Sequence, residues 1–518
     1  MSTKVMLIYP NHEGMNMLPP AIGLLSACLK RAGFTVDLFD TTYYKNLYDY
    51  KVTEGEPKVK RLSVRPFKVP TEITIKESDP FQDFVARVES FQPDLLALSA
   101  TEDMFLLGIK LLKCVRQYNI LTIAGGVFPT FGPEIALSFP EVDIVCVGEG
   151  ENALVELCRR IEKKKHFDDI SNLWIKKKDG SIKKNPTAMV DMNKNPLIDM
   201  SIFEEARYYR PMMGKIYRMF PVETHRGCPY LCAFCNSPSQ MELYKRETGE
   251  SYLRRKSFDN MRKELLFYKD EMKAEFLYFW ADTFFSWSSK EFLEFAELYK
   301  EIGLPFWCQT RVETVNRKRL EILKDIGCAR MSFGIEHGDP TFRREVIKRN
   351  MPNQLIIDSL RTVREVGIPF SVNNIIGFPD ETRELAFETI ELNRQFYADD
   401  RDAFPFTPFK GTPLRLTAEK QGLIETDKIV SSIFAHGKGT LDMPQFPREQ
   451  VNGIVKTFNL YVQFPKSRWP EIQLAERETP EGKLIYNQLR EEFIDKYWTE
   501  DRGSFENAAS DPHSPVIT

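Results

Sequence analysis

Short apolar runs and helix-period stripes alternate through the first third of the chain. Residues 4–9, KVMLIY, form a run closed by Pro10, and Ile22, Leu25, Leu29 and Ala32 then recur at helical spacing until Gly33 ends the pattern. FTVDLFD at 34–40, PDLLALSA at 93–100, ILTIAGG at 120–126 and VDIVCVG at 142–148 read as four further strands, with Phe105, Ile109 and Leu112 marking a helix between the third and fourth strands of the domain. Strands alternating with helices predict a parallel, doubly wound sheet over residues 1–165, whose ligands sit beyond the carboxyl ends of the strands. The charged stretch 41–90 is long for a connection and reads as an insertion or an extra helix.

From 166 to 215 the pattern weakens into a linker, with NLWIKKKDGSIKKNPT resembling a hairpin turning at Asp179 and Gly180. A new regularity then begins, in which a helix, an acidic residue, an aliphatic residue and a Gly precede a strand: EIGLPFWCQ at 301, DIGCARMSFG at 325 and EVGIPFSVNN at 365. Each Gly is placed to end its helix in the left-handed conformation. With MFPVETH at 219, EFLYFWAD at 275 and AFPFTPF at 403 these make six strand candidates over 216–415, a β/α barrel short of eight, with its chemistry expected at the carboxyl ends of the strands. Residues 416–500 turn helical, Thr479 and Pro480 reading as the cap and first position of a helix that carries Leu484, Ile485, Leu489, Phe493 and Tyr497. The polar end, 501–518, reads as a disordered tail.

A chain of 518 residues, 42% apolar and 28% charged, can bury several cores and is not a disordered polymer. Its 71 basic residues against 74 acidic ones leave a net charge of -3, without the basic balance of a nucleic-acid binder. No run approaches the roughly 20 apolar residues of a membrane span, and the N-terminus lacks the regions of a signal peptide, so a cytoplasmic protein is expected. Nine cysteines scattered along the chain do not make a disulfide framework.

Three of the nine cluster. ETHRGCPYLCAFCNSP places Cys228, Cys232 and Cys235 in a C-x3-C-x2-C array after the first barrel strand. Three thiolates can ligate three irons of a [4Fe-4S] cluster and leave the fourth open; the alternative on spacing alone is a zinc site completed by His225. The remaining cysteines show no paired spacing for a second cluster, Cys28, Cys114 and Cys158 lying on predicted helices and Cys308 and Cys328 on adjacent barrel strands.

This array, followed by a partial β/α barrel, resembles the radical S-adenosylmethionine (SAM) superfamily. The resemblance implies that SAM chelates the open iron and is cleaved to a 5'-deoxyadenosyl radical, with the electron delivered by a donor such as flavodoxin or ferredoxin. It places Phe234 near the adenine, Asp282 in FLYFWADTFF near the cosubstrate amino group, Arg311 near its carboxylate, Glu336 in FGIEHG near the ribose, and Gly377 in NNIIGFPDET where backbone approaches the adenosine. Read singly, Asp282 serves equally as a helix cap, Glu336 as a buried ion pair, Arg311 as a surface charge and Gly377 as a turn.

A doubly wound domain ahead of such a barrel resembles the cobalamin-dependent branch. The implied fold is α/β: a Rossmann-like cobalamin-binding domain, a partial (β/α)6 radical SAM barrel and a helical C-terminal region. Ser99, Ala100 and Thr101 after the third strand, Gly125 and Gly126 after the fourth, and Gly148 and Glu149 after the fifth fall where that branch holds the corrin. The loop that commonly reads D-x-H-x-x-G is here YPNHEGMN, with Pro10 for the Asp and Met15 for the Gly, so His12 reads as a loop residue and cobalamin is expected to bind without an imidazole ligand.

The function so implied is a methyltransferase acting on an unactivated carbon of a small or natural-product-like substrate. One SAM methylates reduced cobalamin and another yields the radical that abstracts a substrate hydrogen. The rivals are an oxidative ring cyclase of the magnesium-protoporphyrin ester type, a transfer-RNA methylthiotransferase, which would need a second three-cysteine cluster, and a cobalamin-binding sensor without turnover. Trp280, Trp287, Trp307, Phe404, Phe406 and Phe409 lie near strand ends and read mainly as barrel core.

Overall fold

Alternation of buried strands with amphipathic helices sets the layout of the computed structural model, which describes residues 2–12, 17–45, 47, 61–63, 74–431 and 439–498. The expected tail, 501–518, and much of the charged stretch 41–90 lie outside the described residues; from that stretch the structure shows a helix, Pro80–Phe91, capped by the Asp79 side chain.

The first sheet contains β1 (Lys4–Tyr9), β2 (Thr35–Asp40), β3 (Leu95–Ser99), β4 (Leu121–Gly125), β5 (Ile144–Cys146), β6 (Leu173–Lys176) and β7 (Ile182–Lys184). Its order is β2-β1-β3-β4-β5-β6-β7, parallel through β5. The order reverses between β1 and β3, the switch point beyond whose carboxyl ends such sheets hold their ligands. The helix carrying Ile22 and Leu29 runs Pro20–Arg31 and stops before Gly33, whose φ of 91° is left-handed. The stretch expected as a linker carries β6 and β7, a hairpin that extends the sheet in antiparallel fashion: buried Leu173 and Ile175 give it an apolar face to add to β5.

The second sheet contains β8 (Tyr209–Met212) and β9 (Lys215–Val222). After the two-residue strands β10 (His225–Arg226) and β11 (Arg254–Arg255), which pair only with each other, it continues with β12 (Phe276–Phe279), β13 (Phe306–Thr310), β14 (Cys328–Glu336), β15 (Phe370–Ile376) and β16 (Asp400–Pro405). The six strands from β9 to β16 are parallel and in sequence order, β8 adding an antiparallel edge, so the sheet is an open barrel of the six strands expected. Gly303, Gly327 and Gly367 all lie in left-handed backbone directly before β13, β14 and β15. Helices Arg448–Gln463 and Pro480–Tyr497 close one end of the barrel over Phe378, Ile390 and Phe406, Thr479 capping the second through Gly482 N. Among the described residues no helix is long and apolar enough to cross a membrane.

Candidate functional site

The cysteine loop leaves β9 at the carboxyl end of the barrel and is stitched in place by backbone. Ala233 N donates to Ile347 O at 2.9 Å, and Ala233 O accepts from Leu414 N at 2.9 Å. Gly227, at φ 89°, passes so close to β11 that a Cβ would lie 3.1 Å from the Leu253 backbone, so the turn into Cys228 needs glycine. Helix Ser237–Thr248 begins two residues beyond Cys235, and Ser237 N reaches Cys235 Sγ at 3.4 Å.

All nine cysteines are free, and the three of the array lie within electrostatic reach of one another. Burial raises the Cys228 thiol; burial, with Asp282, Cys232 and Cys228 as neighbours, pushes Cys235 up to about 12. Metal loading must therefore displace protons. Cys232 Sγ accepts from Arg311 Nη1 at 2.9 Å and from Arg349 Nε at 3.3 Å. His225 points elsewhere: Nδ1 is 2.9 Å from Thr224 Oγ1 and Nε2 is 3.3 Å from Ser286 Oγ, and burial with the nearby Arg255 cation lowers the imidazole to about 4. With both ring nitrogens engaged, His225 does not complete a zinc site. Among the described residues no three His, Cys, Asp or Glu side chains form a group that would hold a single metal ion. A donor set of three separate thiols suits a cluster, whose irons are spread, better than one ion.

Beside the loop lies a cavity of about 430 Å³ lined by Phe234, Glu336, Asn373, Asp402, Phe404, Phe406, Thr407 and Phe409 among others. Two of the residues placed near the cosubstrate, Phe234 and Glu336, thus share one cavity. Glu336 is buried at φ 69°, where β14 and β15 slip register, and its Oε1 is 3.2 Å from Arg349 Nη1. Burial raises its carboxyl, and Arg349 and Arg311 oppose that. Asp282 accepts from Ser237 Oγ at 3.3 Å and stands beside Cys235. Arg311 is no surface charge: it is buried, stacked 3.9 Å from the centroid of Tyr230 and paired with Glu313. Gly377 does turn in left-handed backbone, but its N–H is taken by Glu381 and a Cβ would lie 2.8 Å from Val451; its lack of a side chain serves packing against helix Arg448–Gln463. Phe404, Phe406 and Phe409 line the cavity, whereas Trp287 is core and Trp280 is partly exposed.

At the carboxyl ends of the first sheet's strands, Asn11 and His12 follow β1, and Ser99 ends β3 with Ala100 and Thr101 after it. His12 is buried, and Asp103, on the helix Glu102–Cys114, lies within electrostatic reach of it. Of the three glycines, Gly125 leaves space at its Cα, the nearest contact of a Cβ being 3.6 Å. Gly126 and Gly148 instead accommodate the protein itself, a Cβ meeting Ala100 O or Tyr244 Oη at 2.5 Å. The Glu149 carboxylate turns to the barrel, pairing with Arg226 at 2.6 Å and with Arg254, and accepting from Val190 N at 2.8 Å. Arg226 also pairs with Glu151 at 2.7 Å and Glu223 at 3.0 Å. Three carboxylates brought together in a largely dry interface need cations more than a corrin does. Ser99 and Gly125 end β3 and β4 on the carboxyl side of the sheet, next to the β1/β3 switch point.

Sequence reasoning missed Arg226, Arg254, Arg349, Asn373 and Asp402. No spacing marks them, since each is defined by what the fold brings against it.

The radical SAM superfamily profile matches residues 222–392 and the B12-binding domain profile residues 64–158. An uncharacterized methyltransferase of Pyrococcus horikoshii is 28% identical over 66% of this chain and 72% of its own length. The anaerobic magnesium-protoporphyrin IX monomethyl ester cyclase of Rubrivivax gelatinosus is 22% identical over 78% and 68%. Among solved structures, the radical SAM methyltransferase TsrM of Kitasatospora setae, with cobalamin and a [4Fe-4S] cluster bound, aligns over 95% of this chain and 100% of its own at a TM-score of 0.64 and 14% identity. With the cysteine loop at the carboxyl end of an open six-stranded barrel and a doubly wound sheet before it, the chain carries a radical SAM domain that follows a B12-binding domain.

Proposed function

We propose that the chain is a methyltransferase that places a methyl group on an unactivated carbon of a small or natural-product-like molecule. The observation that carries the reading is the junction of Cys228, Cys232 and Cys235 with a cavity that is aromatic on one side and carries Glu336, Asn373 and Asp402 on the other. Bound there, the cluster and SAM supply radical chemistry, and cobalamin supplies a methyl carrier.

The chain's own residues bind, orient and exclude water. Cys228, Cys232 and Cys235 give up their protons to hold the cluster. Asp282 offers a carboxylate to the amino group of SAM, Glu336 offers one to its ribose, and Phe234 offers a face to its adenine. Arg311 holds Cys232 and faces the same region. Phe404, Phe406 and Phe409 keep the cavity apolar, while Thr407 Oγ1, buried without a hydrogen bond among the described residues, is a hydroxyl available to a ligand. Ser99, Ala100, Thr101, Gly125 and Gly126 lie at the strand ends assigned to cobalamin.

The resemblance to the ester cyclase favours a second reading, oxidative ring closure in the same cavity. Anaerobic reconstitution with iron, sulfide and cobalamin, followed by assay for 5'-deoxyadenosine and S-adenosylhomocysteine, separates them. Methyl transfer yields both products and a substrate heavier by one methylene. Ring closure yields 5'-deoxyadenosine without S-adenosylhomocysteine. Alanine at any of the three cysteines is expected to abolish SAM cleavage, and stoichiometric zinc with no iron after reconstitution would end the proposal.

A further inference from the structure

Between the cluster loop and the cavity stands one arginine that neither the motif nor the resemblance marks. Arg349 is buried, and its guanidinium divides its donors among three partners. Nε points at Cys232 Sγ at 3.3 Å, and Nη1 is 2.6 Å from Gly334 O and 3.2 Å from Glu336 Oε1. Phe234 lies against it, ring centroid 5.6 Å from the guanidinium carbon. The backbone holds this pose from both ends: Arg349 N donates to Arg343 O at 2.8 Å, and Ile347 O takes the N–H of Ala233 from the cysteine loop. Lys348, one residue before, and Glu336, across the ion pair, both sit at positive φ, 61° and 69°. Non-glycine residues in that region cost free energy and persist where the surroundings enforce them. A guanidinium needed only to neutralise Glu336 would not require its Nε turned to sulfur.

We propose that Arg349 is a positioning residue that raises the reduction potential of the cluster on Cys228, Cys232 and Cys235 and ties that potential to the charge on Glu336. This rests on the cluster reading above. Adding an electron to an iron–sulfur cluster increases the negative charge shared by its thiolates, and hydrogen bonds to the sulfurs are among the levers that set its potential. A cationic donor to Cys232 therefore favours the reduced state. Glu336 competes for the same guanidinium and adds a negative charge of its own, so it works in the opposite sense. A ligand that neutralises Glu336 leaves Arg349 to the sulfur and makes the cluster easier to reduce once the cavity is filled.

The test is a potentiometric titration of the anaerobically reconstituted full chain, without SAM, followed by the electron paramagnetic resonance of the reduced cluster. Iron and sulfide are counted first. Arg349→Gln is expected to disfavour reduction about tenfold, which for a one-electron couple is about 59 mV lower. Arg349→Lys, which keeps the charge, should fall nearer the wild type, and Glu336→Gln should move the midpoint upward. A mere loss of packing would not give opposite signs. Full iron content in Arg349→Gln with an unchanged midpoint overturns the proposal. If that variant does not retain the cluster, the decision passes to Glu336→Gln, whose midpoint must rise for the proposal to stand. Absence of any cluster in the wild type would refute the underlying cluster reading instead.

Discussion

Replacing Arg226 by Met should loosen the join between the two sheets more than any surface change, because Arg226 is the shared cation of Glu149, Glu151 and Glu223. Its side chain is 11% exposed, against 4%, 6% and 22% for the three carboxylates. Removing one partner of a buried ion pair costs about 3–5 kcal/mol, most of it from the charge left behind. Arg254 still faces Glu149, and Glu223 has some access to water, so a loss of about 3 kcal/mol at pH 7 is expected from urea unfolding. The pH dependence is sharper than the size. Burial opposes the charge on Glu223, but Arg226, Lys256 and Arg254 outweigh it and hold the carboxyl below its ordinary range. A group with a depressed folded pKa stabilises the fold above its unfolded value, about 4.3 for Glu, and that stabilisation is lost as the pH falls through the folded value. The variant lacks much of this contribution from the start, so wild type and variant should converge below about pH 4.3. A variant within about 0.5 kcal/mol of wild type at pH 7, or a gap that stays constant on acidification, would refute the ion hub as the cause.

His225, lowered to about 4 by burial and Arg255, must stay neutral in the fold while the unfolded chain takes up a proton near 6.5. Wild-type stability is therefore expected to fall from about pH 6.5 towards pH 4, by roughly 3 kcal/mol in all, and His225→Gln should remove that slope in urea titrations. For cobalamin, the broken loop motif leads us to expect a bound cob(II)alamin spectrum without nitrogen hyperfine splitting, unchanged in His12→Ala; splitting that disappears in the variant would make His12 a ligand.

What the sequence reveals follows from how local each signal is. The barrel strands were legible because each of Gly303, Gly327 and Gly367 must end a helix in left-handed backbone, a requirement that one residue satisfies alone. The cysteine array was legible for the same reason, since cluster ligation demands thiols at short spacing. The hairpin β6–β7 was legible as a hairpin but not as part of the first sheet: its strands are short, and only pairing with β5 gives Leu173 and Ile175 a core to enter.

Glu149 and Arg349 show where such reading stops. Glu149 follows β5 at a position that suits a ligand-binding loop, and nothing in GEGEN indicates that its carboxylate faces Arg226, 77 residues away. Arg349 lies 117 residues from Cys232, within a basic stretch that resembles any solvated turn. Charged residues are ordinarily exposed, and a sequence pattern prices them so. The exceptions are decided by tertiary pairing, because a buried charge is tolerable only where the fold supplies its partner. Two of these exceptions, Arg226 and Arg349, flank the cysteine loop. Arg226 anchors its approach to the first sheet, and Arg349 joins one of its sulfurs to the cavity. The residues hardest to read from the sequence are thus among those that fix the cluster loop between the B12-binding sheet and the cavity, because their partners come from elements far away in the chain.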